Sequence, residues 1–357
     1  MRTLTKNISN YSADHGEPVT TLHTRPLDSL TFDWVMITLS VVYVSGLYLD
    51  GWAHNHDKVD QSFFTVWHAF FYAGFGLVAL LLTGALVFNR WRGRSWSTAL
   101  PAGYSLSLLG ILIFATGGVG DLLWHELFGI EQNFDILLSP THLMLGAGLA
   151  LVVSGPLRAA WQRPSKKSGW HALGPAMLSL ACLTAALTFF MMFSHPLMSN
   201  IGGRYHAHFN NEIGQVAGVV SILLMTGLVM GPTYLALRRW ALPPGSLILI
   251  WGSNSIAMAI IDYEETSTIY LTLAMLVGIL VAELWRLQLK PSATNLNAWR
   301  IFAFSAPVLV FGAYFVALLY VEGSLWTIHM LTGTVMLSGV VGWLLSYLIV
   351  PPAMPGE

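Results

Sequence analysis

The strongest constraint on the fold is a series of about ten apolar runs, each close to the roughly 20 residues that an α-helix needs to cross a hydrocarbon core. Strands that cross a membrane would alternate apolar and polar residues, whereas these runs are apolar throughout. The sequence therefore predicts an all-α integral membrane protein, a polytopic bundle of about ten transmembrane helices joined as up-down helical hairpins. The predicted spans are residues 31–52, 62–88, 103–124, 137–159, 172–194, 213–236, 245–262, 267–286, 301–321 and 325–349.

The composition agrees with this fold class. Hydrophobic residues make up 55% of the chain and charged residues 10%, against about 25% charged residues in soluble domains. The lipid bilayer is therefore the first expected partner. No basic cluster reaches the density typical of nucleic-acid binding, and we expect no nucleic-acid partner. The single cysteine, Cys182, lies inside the fifth predicted helix, which excludes a disulfide within the chain and a cysteine-based metal site.

The basic residues predict the orientation of the helices. Of the 17 Lys and Arg residues, all but Lys58 and Arg204 fall in the N-terminal tail, in alternate linkers or at the span ends that adjoin these linkers. Linkers rich in Lys and Arg stay in the cytoplasm. We therefore expect an integral protein of the inner or plasma membrane with both termini in the cytoplasm.

Three regions follow from this topology. Residues 1–29 are polar and lack the apolar core of a signal peptide, so they are predicted to be a cytoplasmic tail. Residues 30–350 are predicted to form a single transmembrane helical domain. Residues 351–357 are predicted to form a second, short cytoplasmic tail.

Histidines gather at the outer ends of the predicted helices. Imidazoles and carboxylates are costly near lipid, so such a concentration predicts a polar chamber on the outer side. Of the 12 histidines in the chain, those placed there are His54, His56, His68, His125, His142, His195, His206, His208 and His329.

Two predicted hairpins share one pattern of acids and histidines. In each hairpin an aspartate precedes a histidine by four residues, so that both lie on one face of the first helix. Another histidine then begins the second helix. This similarity indicates tandem hairpin repeats. The two sets are Asp50, His54 and His68, then Asp121, His125 and His142.

Imidazole together with carboxylate suits copper, iron or zinc far better than calcium or magnesium. The aspartates could be ligands themselves, or could accept the second ring N–H of a histidine ligand. The alternative for each pair is a plain Asp–His hydrogen bond at a helix end near water. The candidate metal ligands are Asp50, His54, His56, His68, Asp121, His125, His142, His206, His208 and His329.

The pattern of an aspartate, three residues, a histidine and then a later histidine resembles the copper-ligand pattern in a membrane subunit of the particulate methane and ammonia monooxygenases. Asp50, His54 and His68 match it best, with 13 residues between the two histidines. The second set has a longer gap of 16 residues. The resemblance covers fewer than 20 residues of the chain, and it implies copper as the metal.

The sequence therefore predicts a membrane-embedded, metal-dependent enzyme with its site at the extracytoplasmic helix ends, reached by a lipid-soluble or small apolar substrate. The nitrogen-rich ligand set favours an oxidative enzyme, a monooxygenase-like oxidoreductase in which copper or iron activates dioxygen. A zinc-dependent hydrolase is the first alternative, with Glu126 or Glu131 as the general base.

Two other functions remain open. Ten helices and repeats are also typical of a transporter or proton-coupled carrier, whose outer vestibule the histidines would line. A haem protein would need two facing histidines, which His68 and His142 could supply. An oligomer or partner subunits would be compatible with each of these functions.

Overall fold

The computed structural model describes residues 30–58, 65–129, 135–164, 168–261 and 266–352. Within these ranges the chain is helical almost throughout and forms no β-strand. The predicted tail 1–29 and most of the tail 351–357 lie outside the described residues. The α-helices are α1 Leu30–Asn55, α2 Val66–Trp91, α3 Ser105–Phe128, α4 Asp135–Leu138, α5 Pro140–Val153, α6 Gly155–Gln162, α7 Trp170–Phe190, α8 Pro196–Ser199, α9 Glu212–Arg239, α10 Ser253–Ile261, α11 Thr266–Leu289, α12 Leu296–Val321 and α13 Ile328–Ile349.

Nine spans among the described residues are long and apolar enough to cross a bilayer. α5 and α6 together form one of them, Pro140–Gln162. A shorter apolar helix, Ile248–Ile261, begins with a π-helical turn and continues as α10. It coincides with the predicted run 245–262. The prediction of an all-α polytopic bundle of about ten helices is confirmed, and the chain is a multi-pass membrane protein.

Successive spans run in opposite directions, which gives the bundle two ends of different chemistry. We call the end where α1 and α3 finish and α2 and α5 begin the histidine end. We call the opposite end the arginine end. There Asp33 is buried and pairs with Arg163, and the Tyr104 hydroxyl donates to Asp33 Oδ1 at 2.7 Å. Buried Glu283 pairs with Arg286 at 2.7 Å at the same end. These two buried carboxylates at the arginine end are therefore paired with arginines.

The interior contains two hydrophobic clusters, one in each half of the chain. The N-terminal cluster centres on the stacked rings of Tyr43 and Phe71 and on Phe114, whose ring meets both of them edge-on. The C-terminal cluster includes Trp299 and Phe302, which lie against Tyr234. α7 contributes to both clusters and joins the halves.

Glycines let the helices of the first two hairpins approach closely. A Cβ on Gly74 of α2 would lie 2.7 Å from Tyr43 Cα, and one on Gly148 of α5 would lie 2.8 Å from the backbone nitrogen of Phe114. Both distances are shorter than any real Cβ contact, so a side chain would push the helices apart. Small residues at such crossings are typical of membrane helix pairs. The contact fixes how the second helix of each hairpin sits against the first.

Candidate metal centre

The first group of candidate ligands lies where α1 and α2 meet at the histidine end. Asp50 and His54 occupy the last turns of α1, and His68 is the third residue of α2. One ligand atom from each of the three lies within 4.8 Å of the others. Asp50 Oδ2 is 3.4 Å from His68 Nε2, and the rings of His54 and His68 are 5.7 Å apart between centroids. We call these residues the first triad.

The second group has the same construction where α3 and α5 meet. Asp121 and His125 lie on the last two turns of α3, and His142 is the third residue of α5. Ligand atoms of these three residues also lie within 4.8 Å of one another. Asp121 Oδ2 is 3.6 Å from His125 Nε2, and Asp121 Oδ1 is 3.3 Å from His142 Nδ1. We call these residues the second triad.

A hydroxyl cap places the later histidine of each triad. The Thr65 side chain caps α2 and accepts from the backbone N–H of His68 at 3.1 Å. The Ser139 side chain caps α5 and accepts from the backbone N–H of His142 at 3.3 Å. Caps of this kind fix the start of a helix. Each of these histidines therefore falls at the same position of the first turn, facing the aspartate of the neighbouring helix.

The glycine crossings are aligned with the two triads in the same way. Gly46 precedes Asp50 by four residues and lies against Phe71, with a Cβ position 2.8 Å from Phe71 Cα. Gly117 precedes Asp121 by four residues and lies against Leu145, with a Cβ position 3.2 Å from its backbone nitrogen. Since Phe71 and Leu145 each follow a triad histidine by three residues, the two hairpins are built alike around their triads.

The two aspartates nevertheless have different surroundings. Asp121 Oδ1 accepts a hydrogen bond of 2.9 Å from the Thr141 hydroxyl, and the residue is 2% exposed. Asp50 Oδ1 is buried and has no hydrogen-bond partner among the described residues. A buried carboxylate oxygen without a partner costs free energy that a bound cation would offset. The first triad therefore fits a metal ion on chemical grounds as well as by geometry.

The two triads lie next to each other. The charges of Asp121, His125 and His142 act on His54, which places the second triad within electrostatic range of the first. The charges of Asp50 and Asp121 both act on the half-buried Tyr72 of α2. Its ring centroid is 6.4 Å from that of His68, and its hydroxyl oxygen would be 3.1 Å from a Cβ on Gly118 of α3. Tyr72 thus bridges the space between the hairpins.

Six of the ten predicted ligands are brought together in the triads, and His56 is not one of them. Its ring stacks on Trp52 with centroids 4.8 Å apart, and its Nδ1 lies 2.8 Å from the Trp52 carbonyl oxygen. α1 ends at Asn55, so His56 falls in the turn and folds back on its own helix. Of the two predicted general bases, Glu126 is exposed on the last turn of α3, and Glu131 lies outside the described residues.

The other three predicted ligands lie at the histidine end of the C-terminal half. His206 Nε2 is 3.8 Å from Glu322 Oε2. His208 is exposed in a 3-10 turn, with its ring 6.3 Å from that of His206. His329 is exposed as the second residue of α13, because the Thr327 cap starts the helix there. None of the three joins either triad within the part of the chain that the structure describes.

His195 is the most deeply buried histidine in the described part of the chain. Its Nδ1 accepts from the backbone N–H of Leu197 at 3.3 Å, and its ring bonds with the Asn254 side chain. An accepting Nδ1 requires the proton on Nε2. Burial lowers the pKa of His195 to about 3, so the ring is neutral. His195 is therefore a neutral, buried histidine whose ring is hydrogen-bonded within the protein.

Comparison with known proteins gives no match to this chain, whether with protein-family models, with curated proteins or with solved structures. The fold and the site thus define the class on their own: a multi-pass helical membrane protein with two adjacent His₂Asp triads at one end of its bundle.

Proposed function

We propose that this protein is a membrane-embedded, metal-dependent oxidoreductase whose two triads each bind one transition-metal ion, copper in preference to iron. The observation that carries the proposal is the first triad. Its three ligand atoms lie within 4.8 Å of one another, and one buried oxygen of Asp50 has no hydrogen-bond partner in the described chain. Two imidazoles and a carboxylate form a set that suits copper, iron or zinc.

The construction of the triads supports a site that is rigid before the metal arrives. The later histidine of each triad stands on a helix whose first turn is capped, and glycines allow the two helices of each hairpin to cross closely. Ligands held in this way lose little conformational freedom on binding. Copper or iron would supply the activation of dioxygen. The chain would hold the ion, orient its histidines and keep bulk water away from it.

The surroundings of the triads support an apolar substrate. Phe70 on α2 lies two residues after His68, and Leu123 on α3 lies two residues after Asp121; both side chains are exposed on the outside of the bundle. In a bilayer these side chains would contact lipid. A lipid-soluble or small apolar molecule would then reach the triads from the membrane. With the predicted orientation, the histidine end lies on the extracytoplasmic side.

Metal analysis of the purified protein tests the proposal. The chain would be expressed without an affinity His tag, purified in detergent and analysed for copper, iron and zinc. We expect about two copper ions per chain, with one lost in His54→Ala and one lost in His142→Ala. His56→Ala is the matched control, because His56 neighbours the first triad and belongs to neither.

Each outcome separates the proposal from its alternatives. Unchanged metal content in His54→Ala and His142→Ala, or no bound metal in the wild type, would overturn it and leave the histidines to a transporter vestibule. Zinc in place of copper at the triads, that is, zinc that is lost in His54→Ala and in His142→Ala, would overturn the oxidative part and favour a hydrolase. A Soret band in the absorption spectrum would identify a haem protein instead.

A further inference from the structure

A second polar cluster lies at the histidine end, in the C-terminal half and apart from both triads. Glu322 caps the C-terminal end of α12, and Asn200 caps that of α8. His206 follows in the loop before α9. Glu322 and Asn200 are 7% and 3% exposed, so both side chains are removed from water. The proposed oxidoreductase uses none of these residues.

The carboxylate of Glu322 is only half satisfied. Its Oε1 accepts a hydrogen bond of 2.7 Å from Asn200 Nδ2. Its Oε2 is buried and has no hydrogen-bond partner in the described part of the chain, and the same holds for Asn200 Oδ1. Asn200 Oδ1 belongs to the amide group whose nitrogen donates to this carboxylate. Two acceptor oxygens buried without a donor are costly, and a bound cation would offset that cost.

The distance to His206 has the length that a metal ion would span. Glu322 Oε2 is 3.8 Å from His206 Nε2, which is too long for a hydrogen bond. Zinc binds imidazole nitrogen and carboxylate oxygen at about 2.0–2.2 Å. An ion placed between the two atoms could therefore bind both with little movement of either side chain.

Gly203 leaves the room that such a site needs. A Cβ on Gly203 would lie 2.2 Å from Glu322 Oε2 and 3.2 Å from Cδ2 of His206. Any side chain there would occupy the position of the carboxylate oxygen. The backbone between Asn200 and His206 is thus shaped around the carboxylate, independently of the hydrogen bonds that Glu322 makes.

We propose that Glu322 Oε2, His206 Nε2 and Asn200 Oδ1 form a third metal site, which binds a divalent ion of the zinc type. Water would supply the remaining ligands of this ion. One imidazole with two oxygens suits zinc. Calcium disfavours the imidazole, and copper(I) prefers sulfur ligands. The ion would clamp the loop between α8 and α9 to the end of α12. This site is structural, and it does not depend on the chemistry proposed for the triads.

A zinc titration in a background without functional triads tests this site. The His54→Ala/His142→Ala double variant would be stripped of metal, and Zn²⁺ would be added with bound zinc and the unfolding midpoint as readouts. We expect one bound zinc per chain and a rise in the midpoint of several degrees. Glu322→Gln and His206→Ala in this background should each reduce zinc affinity at least tenfold. Gln keeps the acceptor for Asn200, and His208→Ala is the control on an exposed neighbour.

The opposite results are equally clear. Equal zinc binding in the background, in Glu322→Gln and in His206→Ala would overturn the site. An absence of zinc binding in the background would do the same and would identify His206 and Glu322 as a plain ion pair. Since both triads are disabled in every sample, these results are independent of whether the triads bind copper in the wild type.

Discussion

The hydroxyl of Thr141 donates a hydrogen bond of 2.9 Å to Oδ1 of Asp121. Thr141 is the residue directly before His142, the histidine that α5 contributes to the second triad. The equivalent position in the first hairpin, one residue before His68, is Trp67, whose indole N–H instead donates to the Lys58 carbonyl. The aspartate of the second triad is therefore held by the protein. That of the first triad keeps one oxygen without a partner among the described residues. This difference separates the two triads, which are otherwise built alike.

Removing the Thr141 hydroxyl should lower the stability of the metal-free protein. In Thr141→Val the volume is kept, but Asp121 Oδ1 loses its donor in a site that is 2% exposed. We expect the metal-free protein to lose about 1–3 kcal/mol of unfolding free energy. Thr141→Ser, which keeps the hydroxyl, should lose much less. Unfolding of the metal-free variants in detergent measures this. No loss in Thr141→Val, or a larger loss in Thr141→Ser than in Thr141→Val, would show that the methyl group matters and the hydrogen bond does not.

The two aspartates should also differ in how much each contributes to the metal affinity of its triad. Asp50 has an oxygen free for an ion, whereas Asp121 also orients its neighbours. Asp50→Asn should weaken copper binding at the first triad by more than about 100-fold, and Asp121→Asn should weaken it at the second by about tenfold. Competition with a copper chelator measures the copper affinity of each triad. Each aspartate variant is made in a background in which a histidine of the other triad is replaced by alanine. A larger loss in Asp121→Asn contradicts the assignment.

The glycine crossings should be as important to the triads as the ligands. A Cβ on Gly148 would lie 2.8 Å from both the Gly110 carbonyl oxygen and the Phe114 nitrogen, which are backbone atoms that cannot rotate away. Gly148→Ala should therefore separate α3 from α5, cost about 1–3 kcal/mol and lower metal occupancy of the second triad. Gly84→Ala on α2 is the control, because its Cβ position meets no described atom within 4 Å. It should be neutral or slightly stabilising.

The sequence is sufficient for the fold and for the pairing inside each triad. Length and apolarity determine helices in lipid, and the four-residue spacing of Asp50 and His54 determines a shared face. Both are local properties of the chain. The membrane orientation inferred from the basic linkers stays a prediction, as do the metal and the reaction.

The features that the sequence does not reveal depend on helix ends and on tertiary contacts. The sequence predicts His56 and His329 as ligands because both lie near the outer ends of predicted helices, but α1 ends before His56 and α13 begins just before His329. The roles of Thr141 and Tyr72 require a neighbouring helix that no spacing specifies. One signal is present: Thr65 and Ser139 each precede a triad histidine by three residues, as a helix cap does.

His195 provides a test of the buried core between the two halves. Burial lowers its pKa to about 3, below the ordinary value of 6.5, so the folded state binds fewer protons than the unfolded state as the pH falls below about 6.5. Stability should therefore fall with decreasing pH, by up to about 1.4 kcal/mol for each pH unit between 6.5 and 3 from this residue. His195→Gln stays neutral and should lose less stability than the wild type between pH 7 and pH 5. Unfolding midpoints in detergent at the two pH values measure the difference. Parallel losses in the two proteins would mean that His195 is protonated in the folded state, and that its bonds to Leu197 and Asn254 do not hold it neutral.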